Sequence, residues 1–267
     1  MGPADLRGVA FGTLFVAVGA QGAMFSSTDG ITWTAVSSGV TSDLNAAVYG
    51  GTTYLTAGAG GVTLLSTDAI TWTPHSTGTT NNLYALATNG NGVFVAAGAN
   101  GTIIYSGDGV NWTVANSGTT NDLHGVTYGN GRYVAVGAKG TLLTSADAVT
   151  WQSAGWQTSF DLNGVAYGIA GGISQFVAIG ANGTLATSPD GATWTPQTPI
   201  ATTNTLAAVT YGTQFVAVGS NGTIFTSIDG VNWQAQTSGT ANNLNAVTHN
   251  LFGYSAVGAA GMNLTAF

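Results

Sequence analysis

The hydrophobic positions of this chain fall in short runs, rich in β-branched and aromatic side chains, with glycine, asparagine and serine between them. Short runs bounded by turn residues are typical of β-strands. The pattern is clearest at 206–243, where three such runs precede the sequence Ile-Asp-Gly-Val-Asn-Trp and a polar tail. We therefore predict an all-β protein.

The same unit repeats along the whole chain. Four strands are predicted in each unit; in one copy strand A covers 163–167, strand B 176–179 and strand C 184–187, and strand D begins at Trp194. Four antiparallel strands repeated every 40 residues or so predict a β-propeller. A β-solenoid is the alternative, but hairpin turns do not suit its one-way coil. We predict one seven-bladed propeller domain over residues 1–267, with blades that begin near Leu6, Leu44, Leu83, Leu123, Leu162, Leu206 and Leu244.

Two further features of the repeat support this fold. The turn between strands B and C carries Asn-Gly at 100–101, 182–183 and 221–222, a pair that tolerates positive φ at both central positions of a type I′ hairpin. The second residue after each starting leucine is glycine or alanine. Innermost strands crowd around a propeller axis, so only small side chains are expected there.

Six units share a box of the form Ser-x-Asp-Gly/Ala-x-Thr/Asn-Trp. The box resembles the Asp-box, or bacterial neuraminidase repeat, of sialidases and many non-enzymatic propellers. In that family one more residue separates aspartate from glycine, so a tighter turn and a non-sialidase branch are expected here. The box residues are Asp29, Asp68, Asp108, Asp147, Asp190 and Asp229, with Trp33, Trp72, Trp112, Trp151, Trp194 and Trp233.

The box aspartates are predicted to be structural. An aspartate between two strands can accept hydrogen bonds from turn amides, and the tryptophan can cover the turn and pack between blades. Catalysis needs one asymmetric constellation rather than a ring of six equivalent carboxylates.

Charge and composition restrict the function. Only 5% of the 267 residues are charged, the net charge is −7, and the only cations are Arg7, Arg132 and Lys139. Nucleic acid and anionic membranes attract clustered lysine and arginine, so neither is an expected partner. No apolar run is long enough to span a membrane, and the start of the chain does not resemble a signal peptide. We expect an extracellular, cell-surface or virion location, such as a phage tail.

Candidate catalytic groups are scarce. The chain has no cysteine and no glutamate, and no aspartate pair stands out as the acid and nucleophile or base of a glycosidase. Family sialidases bind their substrate through three arginines, whereas this chain has two. His75, His124 and His249 fall at different phases of the repeat. We expect no enzyme activity, no metal and no cofactor.

The residue after each starting leucine varies while its surroundings stay nearly constant. We expect it at the mouth of the central channel, on the face formed by the D–A and B–C connections. Two interpretations remain open: a ligand-facing rim and a ring of tolerant polar side chains. Trp156, on a D–A connection, is expected on the same face as a ligand-binding residue or a loop filler. The candidate ligand-binding residues are Arg7, Asn45, Tyr84, His124, Trp156, Asn163 and Asn245.

The seventh unit ends after strand C, without a box or a strand D. The segment Met262–Phe267 is therefore expected to expose a strand edge to which another chain could pair. Our first hypothesis is a non-catalytic, lectin-like or adhesin-like binding module for a glycan or a surface protein. The alternative is an assembly protein of a filament, virion or cell surface that docks through this edge.

Overall fold

The structure is a computed structural model that describes residues 4–156, 158–170 and 172–265. These residues form seven antiparallel sheets, and in each sheet the strands lie side by side in chain order. Six sheets have four strands and the last has three. The prediction of an all-β, seven-bladed propeller with a three-stranded seventh blade is confirmed.

The A and B strands are the longest elements of each blade. The A strands are β1 (Leu6–Phe11), β5 (Leu44–Tyr49), β9 (Leu83–Thr88), β13 (Leu123–Gly129), β17 (Leu162–Ala170), β21 (Leu206–Tyr211) and β25 (Leu244–Asn250). The B strands are β2 (Phe15–Gly19), β6 (Tyr54–Gly58), β10 (Phe94–Gly98), β14 (Arg132–Gly137), β18 (Ile173–Gly180), β22 (Phe215–Gly219) and β26 (Gly253–Gly258).

The outer strands are shorter than strand A in every blade, and strand D begins one residue after the box tryptophan rather than at it. The C strands are β3 (Met24–Ser27), β7 (Val62–Ser66), β11 (Ile103–Ser106), β15 (Leu142–Ser145), β19 (Leu185–Ser188), β23 (Ile224–Ser227) and β27 (Asn263–Thr265). The D strands are β4 (Thr34–Ala35), β8 (Thr73–Ser76), β12 (Thr113–Ala115), β16 (Gln152–Ser153), β20 (Thr195–Pro196) and β24 (Gln234–Gln236).

The A strands contact one another in a closed ring, in which β25 of blade 7 meets β1 of blade 1. Apolar side chains pack in seven clusters, each shared by two consecutive blades. The cluster that joins blade 7 to blade 1 contains buried Leu6, Val9, Ala17 and Val257. The core is thus divided into seven wedges, and no blade buries its own apolar faces without its neighbours.

Small residues permit the approach of the A strands. A Cβ atom added to Gly8 would lie 2.9 Å from the Cα of Ala46 in the next blade, and one added to Gly164 would lie 3.2 Å from the Cα of Ala208. Both distances are shorter than ordinary van der Waals contact. The prediction of small residues around the axis is confirmed.

Each B–C turn is a tight turn that covers three residues after strand B: Ala20–Gly22, Ala59–Gly61, Ala99–Gly101, Ala138–Gly140, Ala181–Gly183, Ser220–Gly222 and Ala259–Gly261. In blade 6, Asn221 has φ 56° and Gly222 φ 67°, and the amide of Thr223 donates to the carbonyl of Ser220 at 3.1 Å. Positive φ at both central residues is the type I′ geometry that Asn-Gly predicts.

In six of the seven units the aspartate or asparagine before the starting leucine joins two blades. The Oδ1 atom of Asp43 accepts a hydrogen bond from the amide of Gln21, in the B–C turn of the preceding blade, at 2.8 Å. Asp5 closes the ring in the same way, because its Oδ1 accepts from the amide of Ala260 in blade 7 at 2.9 Å. The Oδ1 atom of Asn82 accepts the equivalent bond from the amide of Gly60 at 3.0 Å. This link between blades therefore needs a side-chain oxygen but not a negative charge.

We predict that Gly222→Ala destabilises the protein by about 2–4 kcal/mol, whereas Gly239→Ala costs about 1 kcal/mol. Both glycines have positive φ, but a Cβ at Gly222 would collide with the carbonyl oxygen of Thr240, while nothing lies within 4 Å of one at Gly239. Urea unfolding of the two variants measures the difference. Equal destabilisation would show that backbone conformation alone sets the cost.

Candidate functional site

Every A strand contains a β-bulge at the same position. In blade 1 Leu6 pairs with Gly19 and Gly8 with Val18, so the residue between them has no partner on strand B. The same shift occurs in all seven blades. A bulge leaves one residue outside the ladder and redirects its side chain. The extra residues are Arg7, Asn45, Tyr84, His124, Asn163, Ala207 and Asn245.

All seven bulge residues line one cavity of about 180 Å³, together with the small and apolar residues that follow them. Each is partly exposed. The structure therefore brings together six of the seven candidate ligand-binding residues, and Ala207 is the seventh member of the ring. Whether they bind a ligand stays a prediction.

The three asparagines of the ring also connect blades. The Nδ2 atom of Asn45 donates to the carbonyl of Leu83 at 2.9 Å. Asn163 donates to Leu206 at 3.0 Å, and Asn245 donates to Leu6 at 2.7 Å across the closure of the ring. This structural role was missed from the sequence. The signal in the sequence was an asparagine that recurs directly after the first leucine of strand A.

Arg7 is held at the cavity by an ion pair. Its Nη1 donates to Oδ2 of Asp43 at 2.7 Å and to Oδ1 of Asn45 at 3.0 Å. The side chains of Arg7 and Asp43 are 37% and 36% exposed, so water weakens the pair. The amide of Gln21, with Arg7, keeps the pKa of Asp43 below its usual value. Fixed in this way, the guanidinium keeps further N–H donors for a ligand.

Two aromatic residues occupy neighbouring blades on another part of the ring. The rings of Tyr84 and His124 lie 6.2 Å apart at 59°. The Nδ1 atom of His124 is buried and has no hydrogen-bond partner among the described residues. The cavity is therefore asymmetric, with a guanidinium in blade 1 and an aromatic pair in blades 3 and 4.

Trp156 lies away from this cavity. It sits on the connection from blade 4 to blade 5, its amide donates to the carbonyl of Ala154 at 2.9 Å, and its side chain packs on the cluster that contains Ala154, Leu162 and Trp194. These contacts favour a filling role, and its part in ligand binding stays a prediction.

The box residues form a repeated hydrogen-bond network on the opposite face. In blade 1 the Oδ1 atom of Asp29 accepts from the Ser27 hydroxyl at 2.9 Å and from the amides of Ile31 and Thr32 at 2.8 and 2.7 Å. Trp33 Nε1 donates to the carbonyl of Gly30 at 2.8 Å, and its ring lies 6.1 Å from that of Phe15. All six boxes repeat the contacts of the aspartate, which supports its structural role.

These hydrogen bonds favour the ionised carboxylate. The pKa of each box aspartate is lowered from its usual value. For Asp29 the amide of Thr32 is the main cause, followed by the amide of Ile31 and the Ser27 hydroxyl, and they bring the pKa to about 2. The carboxylates are thus charged over the whole physiological range.

The part of the chain that the structure describes contains no group of three or more metal-ligating side chains. Within the same residues, no helix has the length and apolar character of a membrane span. His249 lies at the end of β25, where burial lowers its pKa.

No family model and no curated protein matches this sequence. Solved structures are similar in fold. YCF48 bound to a D1 peptide has 18% identity and a TM-score of 0.78 over 99% of this chain and 92% of that chain. YCF48 from Cyanidioschyzon merolae has 17% identity and a TM-score of 0.76 over 99% and 95%. The WD40 β-propeller domain of Doa1 has 13% identity and a TM-score of 0.79 over 98% and 92%. At these identities the similarity shows the fold alone.

We predict that acid destabilises this protein through the box aspartates. A carboxyl whose pKa falls from 3.8 in the unfolded chain to about 2 in the folded protein, as for Asp68, stabilises the fold fully above pH 3.8. That stabilisation is lost as pH falls towards 2. The urea midpoint should therefore drop between pH 5 and pH 2, and Asp68→Asn should reduce the drop. An unchanged midpoint over this range would contradict the assignment.

Proposed function

We propose that this protein is a non-catalytic binding module that holds the end of a ligand in the central cavity. The observation that carries the proposal is the ring of seven bulge residues, which vary while their surroundings in the repeat stay nearly constant and which all line that cavity. A framework that repeats seven times while one inward position changes is suited to recognition.

The size of the cavity favours a terminal group. Pockets for drug-sized ligands enclose about 300–1,000 Å³, whereas this cavity encloses about 180 Å³. A single sugar ring or one amino-acid side chain is of suitable size, and the rest of the ligand would lie over the D–A and B–C connections.

The polar groups favour a glycan over an apolar ligand. Arg7 supplies fixed N–H donors, Asn163 and Asn245 supply amide groups that can pair with hydroxyls, and Tyr84 offers an aromatic face for the apolar side of a sugar ring. A surface protein that presents a polar terminal residue is the other partner of this class. Either partner suits the extracellular, cell-surface or virion location that we propose, and the resemblance to non-sialidase Asp-box propellers agrees with both.

The same cavity supports the absence of catalysis. No carboxylate is among the described residues that line it, and hydrolysis of a glycosidic bond ordinarily uses two. The box carboxylates lie at the other face of the propeller, where turn amides occupy one oxygen of each.

A second candidate function is assembly through blade 7. Strand β27 pairs with β26 on one side and with no other described strand. An unpaired edge is a template for a strand from another chain. Of the predicted pairing segment Met262–Phe267, residues 266 and 267 lie outside the described residues.

We predict that Ala207→Phe abolishes glycan binding because the larger side chain fills the cavity. Ala235, on the exposed strand β24 of the same blade, provides the control, and Ala235→Phe should bind as the wild type does. Tyr84→Ala should weaken binding at least tenfold by removing the aromatic face. A glycan array followed by calorimetry on the strongest ligand measures each effect.

Two results would count against this site. Unchanged binding in Ala207→Phe would place the ligand elsewhere on the propeller. A wild-type protein that binds no glycan but forms oligomers would favour the assembly function.

A further inference from the structure

The face formed by the A–B and C–D connections, called here the A–B/C–D face, is unusually apolar. Of the twelve large apolar side chains that are exposed in the described residues, all except Val114 and Phe160 lie on this face. The most exposed are Leu251 at 94% and Phe252 at 93%, at the tip of the A–B connection of blade 7. Exposed apolar groups concentrated on one surface indicate an interaction site.

The same face is acidic. All six box aspartates lie on its C–D connections, while Arg132 is the single cation that the described residues place there. Arg7 and Lys139 belong to the opposite face. In Asp29 the Oδ1 atom holds the turn, and the Thr32 side chain also interacts with the carboxylate. The carboxylate is exposed and charged, so it can pair with a cation of a ligand.

Apolar and acidic groups converge in a cleft between blade 7 and blade 1. The cleft encloses about 340 Å³, and its lining includes Phe15, Ile31, Phe252 and Tyr254, with Asp29 among them. Ile31 is 68% exposed, so its side chain is open to solvent as well as to the cleft. The volume lies within the range of ligand pockets.

One position of the repeat contributes to the cleft, the residue before the first aromatic residue of strand B. In blade 4 this residue is Arg132, whose side chain lies against Gly191 in the box of blade 5. In blade 5 it is Gln175, which donates to the carbonyl of Asp229 in the box of blade 6. In blade 7 it is Gly253. Between blade 7 and the box of blade 1 no long side chain enters from this position, and Asn263 of strand C donates to the carbonyl of Gly30 at 2.9 Å instead.

We propose that this cleft binds a protein partner through an exposed segment in which an apolar side chain is next to a lysine or arginine. The apolar side chain would enter between Phe252 and Ile31, and the cation would pair with Oδ2 of Asp29. Charge complementarity supports this partner, because the surrounding face carries six carboxylates and one guanidinium. The site is separate from the central cavity, so it is independent of the function proposed for that cavity.

The test uses a phage-displayed library of random dodecapeptides, selected on the full chain. The enriched peptides should contain an apolar residue beside lysine or arginine. Synthetic copies should bind Gly253→Gln at least tenfold more weakly than the wild type, because a glutamine at this position would occupy the cleft. The φ of 155° at Gly253 favours glycine, so Phe252→Ala, which removes an apolar wall of the cleft without that strain, should weaken binding as well. Ala207→Phe should leave this binding unchanged, which separates the cleft from the central cavity.

A matched pair of variants tests the role of charge. Asp29→Asn keeps an Oδ1 atom to accept the turn amides but removes the charge, and it should weaken peptide binding at least tenfold. Asp68→Asn makes the same change in blade 2, away from this cleft, and should have no effect. Melting temperatures of all variants establish that each is folded.

Three results would overturn the proposal. One is the enrichment of peptides that lack basic residues and that bind Asp29→Asn as tightly as they bind Asp68→Asn. Another is that every selected peptide binds Gly253→Gln as tightly as it binds the wild type. Finally, wild-type self-association that Gly253→Gln abolishes would identify a second copy of this chain as the occupant.

Discussion

The close approach of seven A strands around one axis is the constraint on which the rest of this structure depends. The chain has no cysteine, and the described residues show no strand shared between blade 7 and blade 1. Closure rests instead on the apolar cluster around Leu6 and Val257 and on hydrogen bonds between the two ends. Among them, the amide of Gly261 donates to the carbonyl of Ala4 at 2.8 Å. Each bond is weak alone, but all must form together because the ring either closes or does not.

Repetition accounts for the unusual chemistry of the chain. Each blade needs the same acceptors at the same turns, and aspartate or asparagine supplies them with a short, rigid side chain. The acidic residues therefore act mainly as hydrogen-bond acceptors, as Asp29 does in its box and Asp5 does at the closure. The negative charge of the six box aspartates remains as a consequence, and it makes the A–B/C–D face acidic.

Departures from the repeat produce both candidate sites. The bulge places one side chain of each blade at the axis, and the change of that residue from blade to blade makes the cavity asymmetric. At the junction of blades 7 and 1, Gly253 places no side chain in the cleft beside Asp29. In both cases the framework fixes where a side chain points, and a single residue decides what chemistry is present there. Such a scaffold can acquire a new binding surface without a change of fold.

The sequence by itself determined the number of blades, the strand order within each blade, the type I′ turns and the structural use of the box aspartates. All of these depend on local patterns that occur six or seven times, so that each copy supports the interpretation of the others. It also identified the residues of the central ring, because Arg7 and His124 vary where their surroundings do not. Only the tertiary structure showed that asparagines of this ring donate hydrogen bonds to neighbouring blades. The packing of Trp156 in an interblade cluster and the cleft between blades 7 and 1 also emerged only there. These features arise between residues that are tens to hundreds of positions apart, such as Asn245 and Leu6. The distance and direction between such groups are set by closure of the ring, which no local pattern encodes.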